Sequence, residues 1–144
     1  MSKLVKDFLY EEESYLIRGA CFEVWKQFKG MFKESVVDNA LTIALEEKGL
    51  NVESQKRINI YFKGKKVGTY VPDKIVNSKI LIELKSKEFT TKQDLETFWN
   101  YLKGSDYKLG FFINFSPTKL DIKRVVYDTA RTKDSATVQR SHQR

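Results

Sequence analysis

Asp73, in Val71-Pro72-Asp73, is followed ten residues later by Glu83-Leu84-Lys85, which sets two acids and a lysine within one short stretch. Two carboxylates can hold a hard divalent cation through oxygen, which suits Mg²⁺ or Mn²⁺, and the Leu84 carbonyl can add a third oxygen donor. An ammonium beside them can position an attacking water or neutralise charge growing on a phosphate. The candidate chemistry is therefore metal-dependent hydrolysis of a phosphodiester, with Asp73, Glu83 and Leu84 as metal ligands and Lys85 as the catalytic base or charge stabiliser.

That chemistry makes a demand on the elements around it. Glu83 and Lys85 are two apart, so on a strand both leave the same face while Leu84 points the other way. Lys66–Val76 reads as one strand and Lys79–Lys85 as the next, with turn residues Asn77 and Ser78 between them. A two-residue loop would pair Asp73 with Ile82 and send the carboxylates to opposite faces. A three-residue loop, Asn77 to Lys79, pairs Asp73 with Glu83, with Cβ atoms about 4.5–5.5 Å apart; a bulge near Pro72 would serve as well. At 31% charged residues, an acid pair flanked by lysines is commonly just a solvated face. Burial argues otherwise: Ile80, Leu81, Ile82 and Leu84 surround Glu83, and an acid seldom sits in such a strand unless paired or bound to metal.

Composition narrows the alternatives. The chain has 144 residues, 41% hydrophobic and 13% aromatic, as expected of one domain with a full core. No apolar run approaches the roughly 20 residues that cross a bilayer, and the N-terminus has no apolar signal core, so a cytoplasmic protein is expected with no membrane partner. The one cysteine, Cys21, lies among apolar residues, and the one histidine, His142, is far off near the C-terminus. Cys/His, Ser/His and zinc arrangements lack the residues they need. The net charge is +7; from residue 129 onward, Arg131, Lys133, Arg140 and Arg144 stand against Asp134 with few apolar residues. The expected organisation is a domain over 1–128 and a basic, disordered tail over 129–144. The remaining basicity favours a polyanionic partner.

Periodicity predicts the supporting elements. A helix is expected from about Asp7 to Phe28, and a second from about Phe32 to Lys48, ended by Gly49. Strands follow near Lys56–Phe62, Val67–Val76 and Ile80–Ser86. A helix capped by Thr90 or Thr91 runs to about Lys103, and strands at Leu109–Ile113 and Ile122–Tyr127 complete the chain. The order α-α-β-β-β-α-β-β describes an α/β fold with a central mixed sheet flanked by helices and the Asp73/Glu83 hairpin at its centre.

Blocks along the chain resemble the GxxExxY family of the PD-(D/E)XK, or restriction endonuclease-like, superfamily. They include Gly19-Ala20-Cys21-Phe22-Glu23-Val24, Phe32-Lys33-Glu34-Ser35-Val36, Asn39-Ala40-Leu41, Tyr61-Phe62-Lys63-Gly64-Lys65, Ile82-Glu83-Leu84-Lys85, Asn100-Tyr101-Leu102-Lys103, Leu109-Gly110, Ile113-Asn114-Phe115 and Lys123-Arg124-Val125. The likeness runs from about Tyr15 to Tyr127 and implies a restriction endonuclease-like core, Asp73 and Glu83 on the metal and Lys85 as the catalytic lysine. It also implies that Glu34, the acid of the naming motif, faces the site from a helix as an accessory acid. Four positions depart from the pattern. Met31 and Val37 replace the motif's glycine and tyrosine, Trp25 replaces a usual histidine, and Thr97 replaces a usual glutamine.

Three functions remain open on these residues. The first is a Mg²⁺- or Mn²⁺-dependent nuclease acting on DNA or RNA, weakened by the four departures. The second is a non-catalytic nucleic-acid-binding module using Lys63, Lys65, Lys66, Lys85, Lys87, Lys92, Lys103 and Lys108 on phosphates, with Tyr61, Phe62, Phe89 and Trp99 available to stack on bases. The third is a protein–protein role with the site unused. A homodimer is compatible with all three.

Overall fold

The computed structural model describes residues 8–127. The basic tail expected at 129–144 lies outside the described residues. Two helices come first, α1 (Glu11–Phe28) and α2 (Glu34–Glu47), followed by strands β1 (Val52–Ser54), β2 (Ile58–Phe62), β3 (Lys65–Tyr70), β4 (Lys74–Val76) and β5 (Ile80–Lys85). Helix α3 (Lys92–Gly104) then crosses over to β6 (Leu109–Phe115), and β7 (Leu120–Val126) completes the described chain. The architecture is α/β, with a mixed sheet in the order β1-β4-β5-β6-β7 and a separate two-stranded ribbon, β2-β3. Among the described residues no helix is long and apolar enough to cross a membrane.

The crossover explains the sheet's mixed character. β5 and β6 pair in parallel, from Ile80↔Leu109 to Lys85↔Asn114, and parallel neighbours need a connection long enough to return, here α3. A capping box starts that helix: Thr91 accepts from the Asp94 N–H at 3.0 Å while Asp94 accepts from the Thr91 N–H at 2.9 Å. Gly110 lets the helix sit close, because a Cβ there would lie 2.6 Å from the Phe98 ring. The other pairings are antiparallel.

Each face of the sheet is covered. On one side Ile17, Cys21, Val37, Leu41 and Leu45 of the first two helices pack on Ile80, Ile82, Leu84, Phe111 and Ile113. On the other, Leu95, Phe98 and Leu102 of α3 pack on Ile75, Leu81, Phe112 and Val125. Fully burying each such side chain is worth roughly 1.5–3 kcal/mol. Cys21 is one of these core residues, and burial raises its thiol to about 12, which makes it inert.

Two features differ from the sequence expectation. β1 pairs with β4 (Val52↔Val76 to Ser54↔Lys74), adding a short edge strand that three residues of Val-Glu-Ser could not signal. The expected strand Val67–Val76 is two strands in two sheets, β3 in the ribbon and β4 in the main sheet, broken at Val71-Pro72-Asp73. Pro72 supplies the cause, since it has no N–H to give a ladder and disfavours its continuation.

Candidate active site

The turn between β4 and β5 decides which acids can meet. Asn77 and Ser78 both adopt left-handed backbone (φ 52° and 56°), and the Lys79 N–H donates to the Val76 carbonyl at 3.0 Å. Lys79 is thus an extra residue beyond a tight two-residue turn. The ladder runs Val76↔Ile80, Ile75↔Leu81 and Lys74↔Ile82, the register of the three-residue connection. Asn77 is pinned from outside, its Oδ1 accepting from the Asn51 N–H and its own N–H donating to the Asn51 carbonyl, both at 2.8 Å. Continuing that register sets Asp73 opposite Glu83 and Pro72 opposite Leu84.

Where the ladder ends, Asp73 takes over. The Leu84 N–H finds a carboxylate in place of a backbone acceptor, donating to Asp73 Oδ2 at 2.7 Å. Within a strand a residue's N–H and C=O leave on the same side, so the Leu84 carbonyl faces the β4 edge where Asp73 sits. Partial burial holds the Asp73 carboxyl above its ordinary value, against the lowering effect of the Leu84 N–H; Asp38 raises it further, and Lys74 and Lys85 pull it down.

Glu83 shares the face of Leu81, toward α3. Its Oε1 accepts from the Tyr70 hydroxyl at 2.6 Å, and its Oε2 lies 3.9 Å from Lys85 Nζ. Burial pushes its carboxyl up to about 7; the Tyr70 hydroxyl pulls down, Asp73 pushes up, Lys85 pulls down and Glu34 pushes up. Tyr70 in turn is held firmly protonated by burial and by the charge of Glu83. Glu34 stands at the exposed first residue of α2, in the opposite layer, yet its electrostatic neighbours are Asp73, Lys85 and Asp38. Partial burial and the two aspartates raise its carboxyl while Lys85 lowers it. Asp73, Glu83 and Lys85 therefore lie together at one end of the sheet, with Glu34 of α2 within electrostatic reach of them.

The donor set bears directly on a metal. Two partly buried carboxylates with raised pKa values are groups whose repulsion a cation would relieve, and Mg²⁺ commonly takes one or two carboxylates and fills its remaining positions with water. Asp73, Glu83 and the Leu84 carbonyl fit that requirement. Among the described residues no group of three or more His, Cys, Asp or Glu converges to hold a metal ion.

Beside Glu83 and Lys85 opens a cleft of about 380 Å³. Tyr70 and Tyr101 stack on one another in its wall, with centroids 4.1 Å apart and planes at 6°. Phe98 and Phe112 contribute apolar lining, and Gln93, Asp94 and Thr97 of α3 contribute polar groups.

The remaining lysines do not form one track. Lys63, Lys65 and Lys66 cluster at the exposed tip of the β2-β3 ribbon, with Lys63 Nζ 5.3 Å from the Phe62 ring centroid. Lys87 lines the cleft but its ammonium is paired with Asp94 at 2.8 Å. Lys92 opens α3; Lys103 is near its other end, roughly 16 Å along the axis at 1.5 Å per residue, with its ammonium over the Trp99 ring.

Three of the four departures lie away from the cleft lining. Val37 is buried in the helical core, Trp25 packs against Phe115 with centroids 6.5 Å apart, and Met31 is 80% exposed in the α1–α2 connection. Only Thr97 lines the cleft. Two features carried no sequence signal. Tyr70 reaches Glu83 because the ribbon ends at the site. Lys74, only 1% exposed, forms a buried ion pair with Asp38 of α2, on the opposite face from Glu83.

Two comparisons with known proteins give matches. The family model for the PD-(D/E)XK nuclease superfamily matches residues 11–125. A solved structure described as "Crystal structure of SSO0001" aligns with 89% of this chain and 86% of that one, at 16% identity and a TM-score of 0.37. No curated protein matches.

Proposed function

We propose that this chain, which belongs to the PD-(D/E)XK nuclease superfamily, is a metal-dependent phosphodiester hydrolase acting on DNA or RNA, built on the GxxExxY variant of that architecture. The observation that carries the reading is the convergence of Asp73, Glu83 and Lys85, brought about by the extra turn residue Lys79 and the ladder's end at Pro72. Asp73, Glu83 and the Leu84 carbonyl would hold Mg²⁺ or Mn²⁺. A bound ion of this kind polarises a phosphoryl oxygen and eases deprotonation of water.

The chain's own groups do the rest. The Leu84 N–H fixes one Asp73 oxygen and the Tyr70 hydroxyl fixes one Glu83 oxygen, so both carboxylates are oriented before substrate arrives. Lys85, beside Glu83, offers positive charge where negative charge builds on the phosphate. Glu34, with its raised carboxyl, can accept or return a proton at the solvent side.

The test is cleavage of labelled single- and double-stranded DNA and RNA with Mg²⁺ or Mn²⁺, by wild type and Asp73→Ala. The reading expects metal-dependent products that vanish in the variant. Products unchanged by Asp73→Ala, or none from wild type on any substrate, would overturn it. The ribbon supports a second reading, a binding module: residues 56–70 carry five cations and no acid. Salt-sensitive binding without cleavage would mark it.

A further inference from the structure

We propose that the cleft beside Glu83 and Lys85 receives an unpaired nucleobase, so that the substrate is single-stranded or locally unpaired nucleic acid. The inference rests on the hydrolase reading for the position of the phosphate, and deepens it by naming what lies next to that phosphate. Glu83 and Lys85 belong both to the candidate catalytic group and to the cleft lining. A strand whose phosphate is held there therefore carries its neighbouring base to the cleft mouth.

The cleft matches a base in size and in chemistry. Its volume of about 380 Å³ is within the roughly 300–1,000 Å³ typical of small-molecule sites. Its wall is a flat π surface: Tyr70 and Tyr101 are stacked in parallel, and Tyr101, 37% exposed, is the accessible member. Tyr70 is itself fixed by its hydrogen bond to Glu83, so the surface is rigid before anything binds. Polar groups complete the fit. Gln93 and Thr97 are four apart on α3, which puts them on one helix face, and among the described residues neither side chain has a hydrogen-bond partner. An amide and a hydroxyl beside an aromatic wall suit the polar edge and flat face of a base.

A paired base cannot use this site. In a duplex both faces of the base are stacked and its pairing edge is taken, so entry requires that it first be unstacked and unpaired. The single strand has less to lose and binds more tightly.

The test uses a short thymine-flanked oligonucleotide carrying one 2-aminopurine, a fluorescent adenine analogue dimmed by stacking, as single strand and as paired duplex. It is titrated in Ca²⁺ into the full chain, Tyr101→Ala and Thr97→Met, the last chosen because it crowds the cleft from an exposed position without removing any packing or adding a ring on which a base could stack. Wild type is expected to quench the single strand and to bind it about tenfold more tightly than the duplex, the size of one base–aromatic stack. Both variants should lose the quenching and the preference. Absence of quenching in wild type, equal affinity for the two forms, or quenching retained in either variant would overturn the proposal. Cleavage in Mg²⁺ is scored separately: quenching without cleavage removes the hydrolase reading and keeps the base site, whereas cleavage without quenching does the reverse.

Discussion

Replacing Glu83 by Gln should make the protein more stable at alkaline pH while removing a candidate metal ligand. Burial, with help from Asp73 and Glu34, raises the Glu83 carboxyl from 4.5 to about 7. The folded chain therefore keeps this proton up to about pH 7, while the unfolded chain releases it near 4.5. The contribution to stability is complete below 4.5 and is lost as pH rises through 7. At about 1.36 kcal/mol per pH unit the loss is about 3 kcal/mol, and little discount for solvent is needed because the side chain is only 19% exposed. Gln retains an oxygen to accept from Tyr70 and has no proton to lose. Urea unfolding of wild type and Glu83→Gln, without metal at pH 5 and 8.5, reads the difference. Relative to the variant, wild type should lose about 3 kcal/mol between the two pH values, a midpoint shift on the order of 1.5 M at an ordinary denaturant slope. A difference between the proteins that does not change with pH would refute the reasoning. Mg²⁺ added at pH 8.5 should stabilise wild type clearly more than Glu83→Gln, because the variant keeps Asp73 but lacks the second carboxylate charge for the cation to compensate.

Lys85→Ala should lower Mg²⁺-dependent cleavage by about 10²-fold or more while keeping most of the binding, since it removes one charge-stabilising group among many cations; equal losses in both measurements would assign it to binding alone. Changing Lys63, Lys65 and Lys66 together to Ala should weaken binding to every sequence alike and reduce the slope of log affinity against log salt by up to about 3, one per phosphate contact; an unchanged slope would take the ribbon tip out of the interface. Asp38→Ala strands the buried Lys74 ammonium and should destabilise the fold by about 3 kcal/mol in chemical denaturation. The double change Lys74→Met with Asp38→Leu should recover most of that loss, and a cost under about 1 kcal/mol for Asp38→Ala would show that water reaches the pair.

How much of this was legible follows from what each residue reveals locally. The helices and the buried strands β5 and β6 were readable because their apolar residues recur at the periods those elements impose. The candidate acid Glu83 stands out in the sequence for a related reason: an acid among Ile80, Leu81, Ile82 and Leu84 is costly without a partner. β1 was not readable, because a three-residue edge strand has no room to show a period. Tyr70 and Tyr101 were hidden as well, since their stacking joins a ribbon to a crossover helix thirty-one residues away, and no local pattern records such a meeting. The Lys74–Asp38 pair has no local signature either, because it exists only once β4 and α2 pack together. The departures at Trp25 and Val37 would weaken a phosphate site if they lined it, whereas Val37 is buried in the core and Trp25 is partly buried against it.

Val71-Pro72-Asp73 shows how a single break can bring the candidate site's groups together. Had β3 run on into β4, residue 72 would have given Leu84 its backbone partner and the Asp73 side chain would have been one more substituent on a continuous strand. Pro72 stops the ladder, which separates the cationic ribbon from the main sheet and leaves the Leu84 N–H needing an acceptor. Asp73 supplies it, and in doing so its carboxylate is drawn to the edge where the Leu84 carbonyl also points. The same break sets Tyr70, the last ribbon residue, against Glu83. The next residue along the chain, Lys74, turns to the other face and ties the strand to α2 through Asp38, the helix that also carries Glu34. Backbone interruption, carboxylate orientation and anchoring to the flanking helix are thus consequences of three consecutive residues, which is why the acid pair and the proline that precedes it are best understood together.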